Sequence, residues 1–189
     1  VGRAGAMSES PLNALAARLE AVEALDPPAR LAARTVRRLI PDGAPRQVLS
    51  GAWLGHALHP LLTDLPIGTW TSSVLLDWIG GPDSQAAADR LILTGLLATA
   101  PVIATGWSDW ADAEPGDDAI RRSGLVHAGV NALAVNLMIG SYVARKRGAR
   151  GRGKLLSLAG SSAMGAAGWL GGHLSYTLGA GVTGGAPAA

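Results

Sequence analysis

The sequence predicts an all-α protein: a polytopic membrane four-helix bundle preceded by an N-terminal amphipathic helical arm. Three observations predict it. Hydrophobic residues make up 48% of the 189-residue chain and charged ones only 16%, against roughly 25% charge in soluble domains. The charges are bunched in the N-terminal arm and in short blocks. Four stretches left between them each approach the roughly 20 residues that a helix needs to cross a bilayer.

Residues 1–9 read as disordered. Ser10 and Pro11 supply an N-cap and a first helical residue, and Leu12, Leu15, Leu19 and Val22 then recur at helical spacing. Asp26-Pro27-Pro28 is expected to end that helix. A second is expected from Ala29 to Ile40. It puts Leu31, Thr35, Val36 and Leu39 on one face and Arg30, Arg34, Arg37 and Arg38 away from it. Such a helix suits an anionic membrane surface, and equally a solvated place on its own domain. Residues 1–45 thus form the arm, 46–182 the four-span membrane domain and 183–189 a disordered tail. The first 45 residues hold no apolar signal segment.

The expected spans are Pro60 to Trp78, Ala86 to Trp107, Leu125 to Val143 and Leu155 to Tyr176. Pro66 and Pro101 are expected to kink or unwind the first two. Trp53, Trp70, Trp78, Trp107 and Trp110 fall mostly near span ends, where aromatic belts form. Ala159, Ala163, Ala167 and Gly171 lie four apart on the last span, a stripe suited to close helix approach within the chain or in a homodimer. The connection from Ser108 to Gly124 is acidic and that from Arg145 to Lys154 basic. The basic loop and the arginines of the arm pull the positive-inside rule in opposite directions.

Parity places the chemistry. If all four spans cross, the starts of the first and third share a side with the ends of the second and fourth. His56 and His59 precede the first span. His127 opens the third, with Asn131 one turn deeper, and His173 lies near the end of the fourth. All four histidines therefore fall at one membrane face. Imidazole is the commonest neutral metal ligand and an axial ligand of haem iron. Two imidazoles from different helices can clamp haem b, and three or four can hold Zn, Cu or Fe. Asp64, Asp109 and Asn131 are the candidates to orient those rings. The competing reading is a structural polar cluster, with Asp64 capping the first span and Asp77 paired with Arg90 at the other face.

The absence of cysteine removes disulfides, thiolate ligands and cysteine-bound clusters. A net charge of +2 gives no electrostatic case for nucleic acid. No HExxH arrangement supports a zinc hydrolase, for which Asp64 is the sole base of note.

The segments LSGAWLGHALHPLLTDLPIGTW, ATGWSDW, RRSGLVHAGVNALAVNL and GWLGGHLSYTLGAGV resemble a bacterial family of predicted four-helix membrane proteins of unknown function, over about residues 45–182. His56, His59, Pro60, Asp64, Pro66 and Gly68 carry its HxxHPxxxDxPxG core. Members are often joined at the C-terminus to a Rieske-type iron–sulfur domain. The resemblance implies a place in the bacterial cytoplasmic (inner) membrane and a redox role beside a Rieske partner or quinone. Without cysteine this chain holds no such cluster motif itself. The alternative is a non-redox membrane scaffold or anchor.

Overall fold

A computed structural model describes residues 10–181; the ends expected to be disordered, 1–9 and 183–189, lie outside the described residues. Those described form seven α-helices and no strand. The arm holds α1 (Pro11–Glu20), α2 (Asp26–Leu39) and α3 (Ala44–Ser50). Four long helices follow: α4 (Leu58–Ile79), α5 (Gln85–Ala113), α6 (Asp118–Lys146) and α7 (Arg150–Gly172). A π-helical turn, His173–Thr177, extends α7.

Ser10 caps α1 as expected, its hydroxyl accepting from the Leu12 N–H at 3.2 Å. Asp26-Pro27-Pro28 opens α2 rather than closing α1, which stops at Glu20. Proline lacks the N–H that a first helical turn leaves unused, so the pair fits a start better than an end. The acidic stretch after the second expected span is mostly helix. Only residues 114–117 separate α5 from α6, and the Asp117 carboxylate caps α6 by accepting from the Ala119 N–H at 2.7 Å. Helices α4 and α5 continue through Pro66 and Pro101. Asp64 sits in the second turn of α4, exposed, and so caps nothing.

The long helices close a ring: α4 on α5, α5 on α6, α6 on α7 and α7 back on α4. Inward positions recur every three or four residues and are mostly small. On α5 they include Ala88, Gly95 and Thr99, and on α7 Gly153, Ser157, Gly160 and Ala167. The buried stripe of α7 is therefore not quite the expected one. Ala167 faces inward, but Ala159 is exposed and Gly160 lies against α6. Large apolar side chains point out: Leu61, Leu65, Leu75, Leu97, Leu133 and Leu155 are each more than half exposed. This inverts the pattern of a water-soluble core. It suits helices that meet through small residues and turn leucines to lipid. By length and hydropathy two helices, spanning 82–113 and 118–146, are able to cross a membrane. Helices α4 and α7 have 22 and 23 residues and fall outside that pair.

One packing device repeats around the ring. An aromatic or imidazole ring from one helix lies against a glycine of the next, and its N–H donates to the carbonyl one turn before that glycine. Trp70 lies on Gly95 and donates to the Ile92 carbonyl at 3.3 Å. Trp110 lies on Gly124 and donates to Ile120 at 3.2 Å. His59 does so on Gly106 with Val102 (3.0 Å), and His127 on Gly171 with Ala167 (2.9 Å). Trp70, at 3% exposure, is thus a buried packing residue and not part of an interfacial belt. Trp53 and Trp78 are exposed as belt residues would be.

At the far end from the histidines, Asp77 pairs with Arg145 and Arg150 rather than Arg90, and Asp89 bonds both arginines. Asp89 faces inward while its neighbour Arg90 points out, which is why the expected pairing fails. The side chains of Asp77 and Arg145 are fully buried. Each acid there is paired with both arginines, and Lys154 donates to the Asp77 carbonyl; such pairing is the condition for keeping ionised groups away from water.

Glycine contacts separate two substitutions. Gly95→Ala forces a methyl into the Trp70 ring and should destabilise by about 1–3 kcal/mol. Gly129→Ala meets open space and should stabilise α6 by about 0.5–1 kcal/mol. Thermal unfolding of both variants in one detergent checks the order.

Candidate functional site

The four histidines share one end of the helix ring, as parity requires, but they differ in environment. His56 lies in the turn before α4, exposed, with Nδ1 3.2 Å from the Ala57 carbonyl. His173 begins the π-helical turn; its Nε2–H donates to the Glu20 carboxylate of the arm at 2.6 Å, and Trp169 stacks on it at 5.9 Å. His59 and His127 are half-buried on α4 and α6, His59 against Gly106 of α5 and His127 against Gly171 of α7. The Thr105 hydroxyl also lies 3.2 Å from His59 Nδ1. Among the described residues no group of three or more His, Asp or Glu side chains gathers as a metal-ion site.

The rings of His59 and His127 have a defined tautomer. A carbonyl oxygen only accepts, so a ring nitrogen facing one must carry the proton. Nδ1–H of His59 therefore donates to Val102, and Nδ1–H of His127 to Ala167. The lone pair of each neutral ring is left on Nε2. Asn131, one turn along α6, donates its amide to His127 Nε2 at 3.0 Å and to the His127 carbonyl at 3.1 Å. Asn131 thus contacts His127, but on the nitrogen left for a ligand; the N–H that it was expected to orient goes to the Ala167 carbonyl. Asp109 is half-buried at the end of α5 without a hydrogen bond from a described residue, and Asp64 faces outward.

Pairing between arm and acidic connection was not apparent in the sequence. Glu114, 3% exposed, accepts from Arg37 of α2 at 2.9 Å and from Arg121 of α6 at 2.7 Å. Arg37 also reaches the Ala111 carbonyl at 2.6 Å. Arg122 grips both oxygens of Asp26, at 2.8 and 3.0 Å, and the Glu20 carbonyl at 2.6 Å. Arg46 bonds Asp112 at 2.7 Å. With His173 on Glu20, these contacts bind the arm across the histidine end. The opposite signs of the two segments were the available signal. Burial alone would push the Glu114 carboxyl up, but its two arginines outweigh that and hold it below its ordinary value. Arg122 holds Asp26 below its ordinary value, against desolvation.

An all-α ring with leucines outside and glycines inside defines a helical membrane protein. Residues 55–184 match the family described as predicted membrane protein (DUF2231), and the chain belongs to that family, whose function is unknown. No curated protein and no solved structure matches the chain.

Acid should release the arm. Both carboxyls are lowered in the folded state, so their contribution is full above the ordinary carboxylate range and is lost as pH falls through the lowered values. Hydrogen-exchange protection of α2 should hold at neutral pH and fall below about pH 4, ahead of α6. Unchanged α2 protection at about pH 3 would contradict this. Glu114→Gln leaves Arg37 and Arg121 facing a neutral group and should cost about 3 kcal/mol, read as loss of α2 protection at neutral pH.

Proposed function

We propose that this chain is a four-span bacterial inner-membrane subunit in which His59 and His127 hold haem b, exchanging electrons with a Rieske-type protein or quinone. The observation that carries this reading is the shared tautomer. Trp70 and Trp110 perform the same packing with one N–H each. Histidine at the other two positions adds a second nitrogen, and in both rings the lone pair falls on Nε2: without a donor among the described residues at His59, and met at His127 by the Asn131 amide, which a ligand there would displace. Ligand histidines normally donate Nδ1–H to a carbonyl or carboxylate in this way. The rings come from α4 and α6, which are not neighbours in the helix ring, so a haem held by both would be bound by two separate helices. When bound, haem supplies one-electron chemistry. The donor set suits a group needing two imidazoles better than Zn, Cu or Fe sites needing three or four ligands. His173 is engaged by Glu20 and His56 faces outward, so neither is assigned as a ligand.

A second reading, a non-redox membrane scaffold or anchor, is favoured by one observation: His59 and His127 each already make the same glycine-and-carbonyl contact as a tryptophan. In that reading the outward small residues of α7, among them Ala159 and Ser162, suit a second copy of the chain.

Optical spectra of protein in mild detergent, oxidised and then dithionite-reduced, separate the two. The redox reading expects a Soret band with sharp reduced α and β bands. These should be lost in His59→Ala and His127→Ala and kept in His56→Ala and His173→Gln. Full haem content in both alanine variants, or none in wild type after reconstitution with haemin, would leave the scaffold reading.

A further inference from the structure

We propose that the groove between the start of α5 and the end of α6 binds the headgroup of phosphatidylethanolamine, with the phosphate on Arg90 and Lys146 and the ammonium on Asp89. The groove measures about 240 Å³ and is lined by Ala86, Asp89, Arg90 and Leu93 of α5 and by Tyr142 and Lys146 of α6. It lies at the far end from the histidines, where Asp89 joins the Asp77–Arg145 cluster.

Both walls grade from charge to hydrocarbon. On α5, Arg90, Leu93 and Leu97 fall three and four residues apart and share a face. On α6, Lys146, Tyr142 and Ile139 do the same in the reverse chain direction. The two helices pack together and are joined by residues 114–117 alone, so they run antiparallel. The cations therefore meet at the outer rung, and Leu97 and Ile139 lie about 10 Å deeper. Both are exposed, Leu97 to 69% and Ile139 to 46%, on the two helices long and apolar enough to cross a membrane. The Lys146 ammonium sits 5.1 Å over the Tyr142 ring, and at the same end Lys154 sits 5.8 Å over the ring of the exposed Trp78. Tyrosine, tryptophan and lysine together mark the depth at which headgroups begin.

The charges that line the groove select the occupant. Arg90 and Lys146 are exposed and have no acidic partner among the described residues. Asp89, whose side chain is 18% exposed, takes both its arginine bonds on one oxygen: Arg145 donates to Oδ1 at 3.2 Å and Arg150 at 2.7 Å. The other oxygen, Oδ2, has no partner among the described residues. A ligand that meets all of these groups brings a phosphate for the two cations and a charged N–H donor for the carboxylate. Phosphoethanolamine carries both. Choline has no N–H to give, and the glycerol of phosphatidylglycerol offers hydroxyls without charge. The acyl chains then run past Leu97 and Ile139, for which a soluble phosphate ester has no use.

The proposal rests on α5 and α6 crossing the bilayer and on no cofactor. The full chain in mild detergent is titrated with phosphatidylethanolamine, its N-methyl and N,N-dimethyl derivatives and phosphatidylcholine, all with the same acyl chains, and bound lipid is counted by native mass spectrometry. The first equivalent of phosphatidylethanolamine should bind about tenfold more tightly than phosphatidylcholine, with affinity falling at each methylation. This series probes Asp89 without disturbing its arginines. Arg90→Gln and Lys146→Gln should each weaken every lipid roughly fivefold and leave the ratios between them unchanged, because all share the phosphate. Both side chains are exposed, so melting of these variants should match wild type. Equal affinity across the series, tighter binding of phosphatidylglycerol, or full affinity in the double variant overturns the proposal. Displacement of the bound lipid by equimolar soluble phosphoethanolamine overturns it as well, since the chains would then add nothing.

Discussion

How closely four helices can approach one another governs everything else in this structure. In lipid, burying leucine gains nothing over leaving it exposed, so helix association depends on van der Waals fit and hydrogen bonds. Glycine supplies the fit. At Gly95, Gly106, Gly124 and Gly171 a ring from the preceding helix occupies the space of the missing side chain. The ring's N–H then enters a backbone carbonyl beside it, adding a hydrogen bond to each contact. A chain with 26 glycines, six tryptophans and no phenylalanine is suited to this arrangement, since a phenyl ring would fill the space but offer no donor.

The two ends of the ring are fastened differently. At one end Asp77, Asp89, Arg145 and Arg150 form an ion-paired cluster joining α4, α5, α6 and α7. At the other, the arm itself is the fastening, through Glu20, Asp26 and Arg37 onto α5, α6 and His173. At the first the Asp77 and Arg145 side chains are fully buried, whereas at the second Arg37 is 35% exposed.

Much of this was legible in the sequence. Four long apolar stretches became the four long helices, and parity placed the histidines at one end. The same reasoning failed where pairing depends on rotation about a helix axis. Asp77 was matched to Arg90 by depth, but depth does not distinguish Arg90 from Asp89, and only the latter faces inward. The four histidines likewise agree in depth and differ in direction: His59 looks toward α5, His127 toward α7, His173 toward the arm and His56 outward. The ring-on-glycine contacts were hidden because a glycine's neighbour lies on another helix. The prolines of Asp26-Pro27-Pro28 were misassigned because proline borders both helix starts and helix ends, and only the exit of α1 at Glu20 decides between them.

The most direct test of a four-span architecture uses the absence of native cysteine. Asp42→Cys places a thiol on the arm, and Arg152→Cys places one at the start of α7. In sealed inverted membrane vesicles an impermeant maleimide should label one of them, and the other only after the vesicles are opened, because four crossings put them on opposite sides. Labelling of both from the same side would mean that only α5 and α6 cross, and would contradict the account.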